Sequence, residues 1–263
     1  MFRKSRVLER LRRGQAAVGP PFAMFAMARV AEVIGRCGYD LLWVDMEHRP
    51  LDWPLVYDIG IGARASDVDM IIRVVKTGYD APMKALEAGA HGVMIPHCMS
   101  AEEAQRWARW AKYPPLGNRG FDMTGPDADF GAIDKYEYIT SVNAETFLCV
   151  QIEDPCAVDC VDQIAAVQGV DLLFIGPADL SITYGIPFQW EHKLIQDAIE
   201  RTAAAAKKHG KYWGIPFINP ELAKRNYARG ARLFFTGYDE QDAIVEVMRK
   251  VYVDFRTTVG EKP

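Results

Sequence analysis

What the sequence lacks narrows the choices first. No apolar run approaches the ~20 residues that cross a bilayer, so no membrane span is expected. No GxGxxG turn is present, which argues against a doubly wound dinucleotide-binding sheet. The five cysteines (Cys37, Cys98, Cys149, Cys156 and Cys160) are odd in number and contain no CxxC spacing. That excludes the usual zinc and redox patterns and implies a reducing, cytoplasmic compartment. Excess positive charge is missing too: the net charge is −4, so no general attraction to nucleic acid is implied. No internal repeat, low-complexity segment or linker divides the chain. No secretory apolar segment follows the basic N-terminus. The stretch FRKSRVLERLRRG reads as a short amphipathic helix with Val7, Leu8 and Leu11 on one face; a mitochondrial presequence is the alternative.

What is present is a soluble composition, 49% apolar and 25% charged over 263 residues. The length suits one (β/α)8 barrel of ~250 residues, a TIM barrel occupying 1–263. Apolar runs read as eight strands: Pro21–Met27, Tyr39–Asp45, Val68–Val75, His91–Pro96, Phe147–Ile152, Val170–Ile175, Tyr212–Phe217 and Ala231–Thr236. They are nearly continuous runs, as expected for parallel strands covered on both faces. Helical patterns separate them, several closed by glycine. Ser100 with Glu103 three residues on reads as a capping box. Residues 112–145 hold no strand, only a long loop and a helical piece from about Gly131 to Val142.

The chemistry of a parallel barrel sits at the C-terminal ends of its strands. Glu153 follows the fifth strand and Asp179 lies just past the sixth. Neighbouring parallel strands run ~4.8 Å apart, so the two carboxylates can meet at one point, where they repel unless a cation stands between them. A hard divalent cation wants such oxygen ligands. Either acid alone suits a helix N-cap; the pair favours a metal. Arg73 lies inside the apolar strand IIRVV, where an unpaired guanidinium is costly. Its partner is either a substrate carboxylate or an ion pair with Asp45 or Glu47. Asp45 and His48 have the spacing of a carboxylate that orients an imidazole for proton transfer. Gly176-Pro177-Ala178 opens a helix, whose free N–H groups favour an anion. His97 is a lesser candidate ligand or acid.

The segments DLLWVDMEHRPLD, IIRV, ALEAGAHGVMIP, KYPPLGNRG, VQIED and GVDLLFIGPADLS resemble, in this order, the signature segments of the HpcH/HpaI family of metal-dependent (class II) pyruvate aldolases. The Glu-to-Asp spacing of 26 (179 minus 153) suits the family. The resemblance implies a lyase that reversibly cleaves 4-hydroxy-2-oxo acids to pyruvate or hydroxypyruvate and an aldehyde, through an enolate that the cation stabilises. It implies that Glu153 and Asp179 hold Mg²⁺ or Mn²⁺, with Co²⁺ or Zn²⁺ as further options. Arg73 would bind the substrate carboxylate, and Gln151 with Gly176, Pro177 and Ala178 would help hold the keto acid. His48, oriented by Asp45, would handle protons, and Glu87 would approach a neighbouring subunit's site. The implied assembly is a homo-hexamer with the last helix exchanged between subunits. The partners are small molecules, with neither nucleic acid nor membrane.

Three segments depart from the family pattern: PPFAMFAM, where Phe25 replaces a usual tryptophan, His97-Cys98, and GFDMTGPDADFG. All three fall on the expected aldehyde side. Open alternatives are another metal-enolate lyase or decarboxylase on the same scaffold, and a non-catalytic keto-acid-binding barrel. A Schiff-base lysine aldolase is a further one, but no lysine lies inside a strand end; Lys76 is just beyond.

Overall fold

A computed structural model describes residues 2–22, 24–237 and 239–262. Its sheet has nine parallel strands: β1 (Ala17–Gly19), β2 (Pro21–Phe22), β3 (Leu41–Asp45), β4 (Asp69–Arg73), β5 (Gly92–Ile95), β6 (Phe147–Ile152), β7 (Leu172–Ile175), β8 (Tyr212–Pro216) and β9 (Leu233–Phe235). The order β1-β9-β8-β7-β6-β5-β4-β3-β2 closes into a barrel because β1 and β2 are two halves of one staggered first strand. β1 pairs with β9 through Ala17 and Leu233, and β2 pairs with β3 through Pro21 and Trp43. Pro20 divides the halves and has no N–H to give, while its carbonyl accepts from Trp43 N–H at 3.0 Å. This is the (β/α)8 architecture expected from the sequence.

The first strand differs from the expected Pro21–Met27. It begins at Ala17 and leaves the barrel after Phe22; Ala23, inside the expected strand, lies outside the described residues. Beyond it the Met24 and Phe25 N–H groups donate to Glu240 Oε1. Barrel closure sets this register. Gly19 marks it, since a Cβ there would meet Leu41 O at 2.1 Å. The helix expected at 131–142 runs instead over Lys135–Glu145, because the Asp134 side chain caps the Tyr136 and Glu137 N–H groups. The capping box is nearly as expected: Ser100 Oγ accepts from Glu103 N–H, while Glu103 returns its bond to Met99 N–H.

Two apolar layers form. One lies between barrel and helices. The other fills the barrel, where Leu41, Ile71, Met94, Phe147 and Leu172 meet Val7, Leu8 and Leu11 of the helix Arg6–Arg12. That helix plugs the foot of the barrel, with Asp69 Oδ2 accepting from Ser5 Oγ at 2.6 Å and from Val7 N–H at 2.9 Å. The mouth is left for polar groups.

Candidate active site

Register decides which polar residues meet at the mouth. Asp45 and Arg73 are directly paired on β3 and β4. Arg73 Nε and Nη2 donate to Asp45 Oδ1 and Oδ2 at 2.8 and 2.7 Å, a bidentate contact. Arg73 Nη1 lies 3.1 Å from Glu47 Oε2. Beneath the guanidinium the Trp43 ring centroid is 4.7 Å from its Cζ, and Trp43 in turn stacks on Phe235 at 4.4 Å. Burial alone would raise the Asp45 pKa; the hydrogen bond and charge of Arg73 outweigh it and hold the carboxyl below the usual range. Of the two partners weighed for Arg73, the ion pair with Asp45 and Glu47 is therefore the one formed in this structure.

Asp45 does not orient the His48 ring. Its Oδ1 accepts from the backbone N–H groups of Glu47 and His48, at 3.0 and 3.4 Å. The imidazole stands at the rim, 61% exposed, with Nε2 3.7 Å from Glu47 Oε2. β3 ends at Asp45, and the bend over residues 46–49 brings the His48 backbone to the carboxylate and leaves the ring exposed. Asp45, His48 and Arg73 nevertheless share one cleft of about 360 Å³, walled by Pro21, Phe22 and Trp43 and edged by Arg49 and Asp239. Sequence reasoning did not single out Arg49 and Asp239; no local motif announces them, because 190 residues separate the pair they form.

The second group lies on β6 and β7. Glu153 is 1% exposed. Its Oε1 accepts from His97 N–H at 2.7 Å and its Oε2 from Gln151 Nε2 at 2.7 Å. Gln151 Oε1 is buried with no protein partner among the described residues. Burial pushes the Glu153 pKa up to about 7; the His97 N–H and nearby positive charge pull it down, while the negative charge of Asp179 pushes it further up. Asp179 sits in the first turn of the helix Pro177–Thr183. Gly176, between the two, must lack a side chain, since a Cβ there would meet Glu153 Oε2 at 2.3 Å.

The anion cradle expected at Gly176 to Ala178 is smaller than the sequence suggested. Gly176 N–H is donated to Ile152 O at 3.2 Å, and Pro177 has none. Of these three residues, Ala178 alone keeps an N–H free of a backbone bond at this helix start. Glu87 ends the helix Asp80–Glu87, which runs from the mouth back to the foot of β5, so it stands at the end of the barrel opposite Glu153. Burial raises its pKa, opposed by Arg119 and reinforced by Asp127 and Asp122. His97, a minor candidate from the sequence, holds Glu153 through its backbone.

These residues suit a hard divalent cation. The donors are all oxygen, one carboxylate is buried at a cost a cation would relieve, and an amide oxygen beside it is unsatisfied. Among the described residues no cluster of three His, Cys, Asp or Glu side chains converges, so a cation at this mouth would draw most of its ligands from water and substrate.

Two results are expected from this geometry. Gly176 has φ −97°, which alanine adopts freely; Gly176→Ala should fold but displace Glu153, weakening Mn²⁺ binding at least about tenfold by calorimetry. Secondly, Glu153 binds its proton more tightly in the fold than its ordinary 4.5. Metal-free protein should therefore lose stability as pH rises through about 7, by up to ~3 kcal/mol between pH 5 and pH 8. Saturating Mn²⁺ should remove that slope in thermal melts.

The fold and the site together define a (β/α)8 barrel whose mouth gathers carboxylates, an arginine and a donor set suited to a hard cation. The family described as HpcH/HpaI aldolase/citrate lyase matches residues 22–245, and the chain belongs to it. It is 36% identical over 215 residues to a hydroxypyruvate/pyruvate aldolase of Roseobacter denitrificans, covering 81% of this chain and 83% of that one. It is 33% identical over 232 residues to the 2-keto-3-deoxy-L-rhamnonate aldolase of Escherichia coli K12, covering 88% and 86%. The crystal structure of an HpcH/HpaI aldolase from Desulfitobacterium hafniense DCB-2 superposes with a TM-score of 0.87 at 29% identity, covering 95% of this chain and 96% of that one. The chain is thus a carbon–carbon lyase.

Proposed function

We propose that the protein, acting as one barrel domain over 1–263, reversibly cleaves 4-hydroxy-2-oxo acids to pyruvate or hydroxypyruvate and an aldehyde, with Mg²⁺ or Mn²⁺ held by Glu153 and Asp179. The observation that carries this reading is the buried Glu153 carboxylate set against Gly176 beside Asp179, at the mouth of a family barrel. The names of the Roseobacter and Escherichia relatives support the donor and the bond cleaved. When bound, the cation supplies Lewis acidity that stabilises negative charge developing on a keto acid.

The chain's own residues do the rest. Arg73 has five N–H groups, of which Asp45 takes two. Nη1 also faces Glu47, so one N–H on Nη1 and the second on Nη2 are left for a substrate carboxylate in the cleft. Asp45 and Trp43 hold the guanidinium so that little side-chain entropy is lost on binding. Gln151 offers its free Oε1 to a donor on the substrate, and Ala178 N–H an anion contact. His48, solvated at the rim beside Glu47, is placed to move a proton between substrate and water. Pyruvate release from a panel of 4-hydroxy-2-oxo acids, with Mg²⁺, Mn²⁺ or EDTA, tests the reading. Metal-dependent, EDTA-sensitive release is expected; no release with any metal would refute it.

The proposed assembly draws on the last helix, Glu240–Thr258. Among its buried residues is only Glu240, while Ile244, Met248, Val251 and Phe255 are exposed. On the barrel an apolar groove of about 310 Å³, lined by Val18, Phe217, Ala223, Lys224, Tyr227 and Phe234, stands open beside the strands where a last helix would pack. In the proposed homo-hexamer, taken from the family resemblance, exchange of this helix between subunits would cover both surfaces and Glu87 would reach a neighbour's site. Light scattering should give about six times the 29.5 kDa chain mass, and removing residues 240–263 should abolish that assembly. A cytoplasmic location rests on the unpaired cysteines, two of them buried.

A further inference from the structure

The chain leaves β5 through Pro96 and then does something few side chains tolerate. His97 adopts φ +45°, in the left-handed region. That turn aims its N–H at Glu153 Oε1, 2.7 Å away. One residue on, Cys98 N–H donates to Gln151 O at 3.3 Å, which ties the chain beyond the turn to β6. Something must hold an imidazole-bearing residue in this conformation, and two contacts do. Lys76 Nζ donates to the His97 carbonyl at 2.8 Å. The His97 ring Nδ1 lies 2.9 Å from Asp154 Oδ2.

Asp154 is unusual in its turn. It stands at the N-cap of the helix Pro155–Asp159, where an aspartate ordinarily bonds the first N–H groups, yet its side chain makes no capping bond. The carboxylate is spent on His97 instead. The ring is committed by that contact: Nδ1 faces Asp154 and stays 3.8 Å from Glu153 Oε1. The His97 backbone N–H makes the hydrogen bond to Glu153, while the ring acts on it only through charge from 3.8 Å.

We propose that His97 and Asp154 are positioning residues for Glu153: Asp154 clasps the imidazole, the clasp secures the left-handed turn, and the turn delivers the N–H that fixes one carboxylate oxygen for cation binding. The proposal rests on the reading that Glu153 and Asp179 hold the cation. It explains why a histidine follows Pro96 after β5 in this chain, where a residue without a partner would have to hold the turn alone.

The test is Mn²⁺ affinity of the metal-stripped full-length protein by calorimetry, with circular dichroism as the check on folding. His97→Val puts a β-branched residue where the left-handed region is least accessible; Mn²⁺ should bind about 10–100-fold more weakly, as for loss of other outer partners of a metal ligand. His97→Gly adopts the turn without cost and keeps the N–H, so it should bind clearly more tightly than His97→Val. That rescue is what a merely structural ring would not produce. Equal weakness of the two variants, or wild-type affinity in His97→Val, overturns the proposal. Should His97→Val fail to fold, Asp154→Asn against Asp154→Ala decides: the amide oxygen still accepts from Nδ1–H and should bind Mn²⁺ nearly as wild type, whereas alanine should weaken it several-fold. Equal affinities in that pair overturn the proposal. Glu153→Gln separates the two levels. If it binds Mn²⁺ normally, the cation reading falls and this one with it; if it does not bind while His97→Val does, only the positioning role falls.

Discussion

Glu153→Gln should lose Mn²⁺ binding and slow pyruvate release by on the order of 10³-fold or more, because the cation loses a charged ligand and the developing charge on the substrate loses its electrostatic partner. The same substitution should leave the metal-free protein as stable as the wild type at pH 8, or more so. The carboxylate is 1% exposed and its pKa is pushed up to about 7 by burial, so holding it ionised at pH 8 costs the fold free energy. An amide removes that cost, of up to ~3 kcal/mol. It must also keep its hydrogen bonds. The new oxygen can still accept from His97 N–H, and the new NH₂ can donate to Gln151 Oε1, which has no protein partner now, if the Gln151 amide turns over. Opposite signs for activity and stability would mark a residue kept for chemistry. Asp179→Asn should match it in metal binding and activity without the gain in stability. Calorimetry with Mn²⁺, thermal melts at pH 8 and the pyruvate assay check all three, and full activity in EDTA for either variant would refute the cation's role.

Arg73→Met should raise KM for the keto acid by about 10²-fold, the loss expected when two hydrogen bonds to a charged group are removed. It should also destabilise the fold by ~3 kcal/mol, because the Asp45 carboxylate stays buried without its bidentate partner. The pH dependence carries a sign. In the wild type the Asp45 carboxyl is held below its ordinary 3.8, so its contribution to stability is present above that pH and lost as pH falls through the lower folded value. Arg73→Met should lack this acid-labile part, and the stability gap between variant and wild type should shrink toward pH 3. Arg73→Lys keeps the charge but not the fork, and should recover part of the stability and little of the KM. Steady-state kinetics and acid titration of unfolding separate the outcomes.

Much of the fold was legible because its signals are local. Many elements follow directly from apolar runs, glycine stops and caps: the Asp52 side chain accepts from Leu55 N–H at the start of Trp53–Ala65, and Asn219 accepts from Leu222 N–H at the start of Pro220–Ala228. The first strand was misplaced because its limits are set by pairing at a distance, Ala17 with Leu233 and Phe22 with Val44. An apolar run such as PFAMFAM cannot distinguish a strand from the loop above it.

The sequence by itself determined the barrel, the family and the residue types at the strand ends, since periodicity, length and motif order are properties of the chain alone. Tertiary structure decided what those residues do for one another. It gave Asp45 to Arg73 and turned His48 outward, took the Gly176 N–H for Ile152, sent Glu87 to the foot of the barrel, and made the His97 backbone a partner of Glu153. The reason is physical: a carboxylate binds whichever donors the register brings within about 3 Å, and register is fixed by strand pairing between segments far apart in the chain.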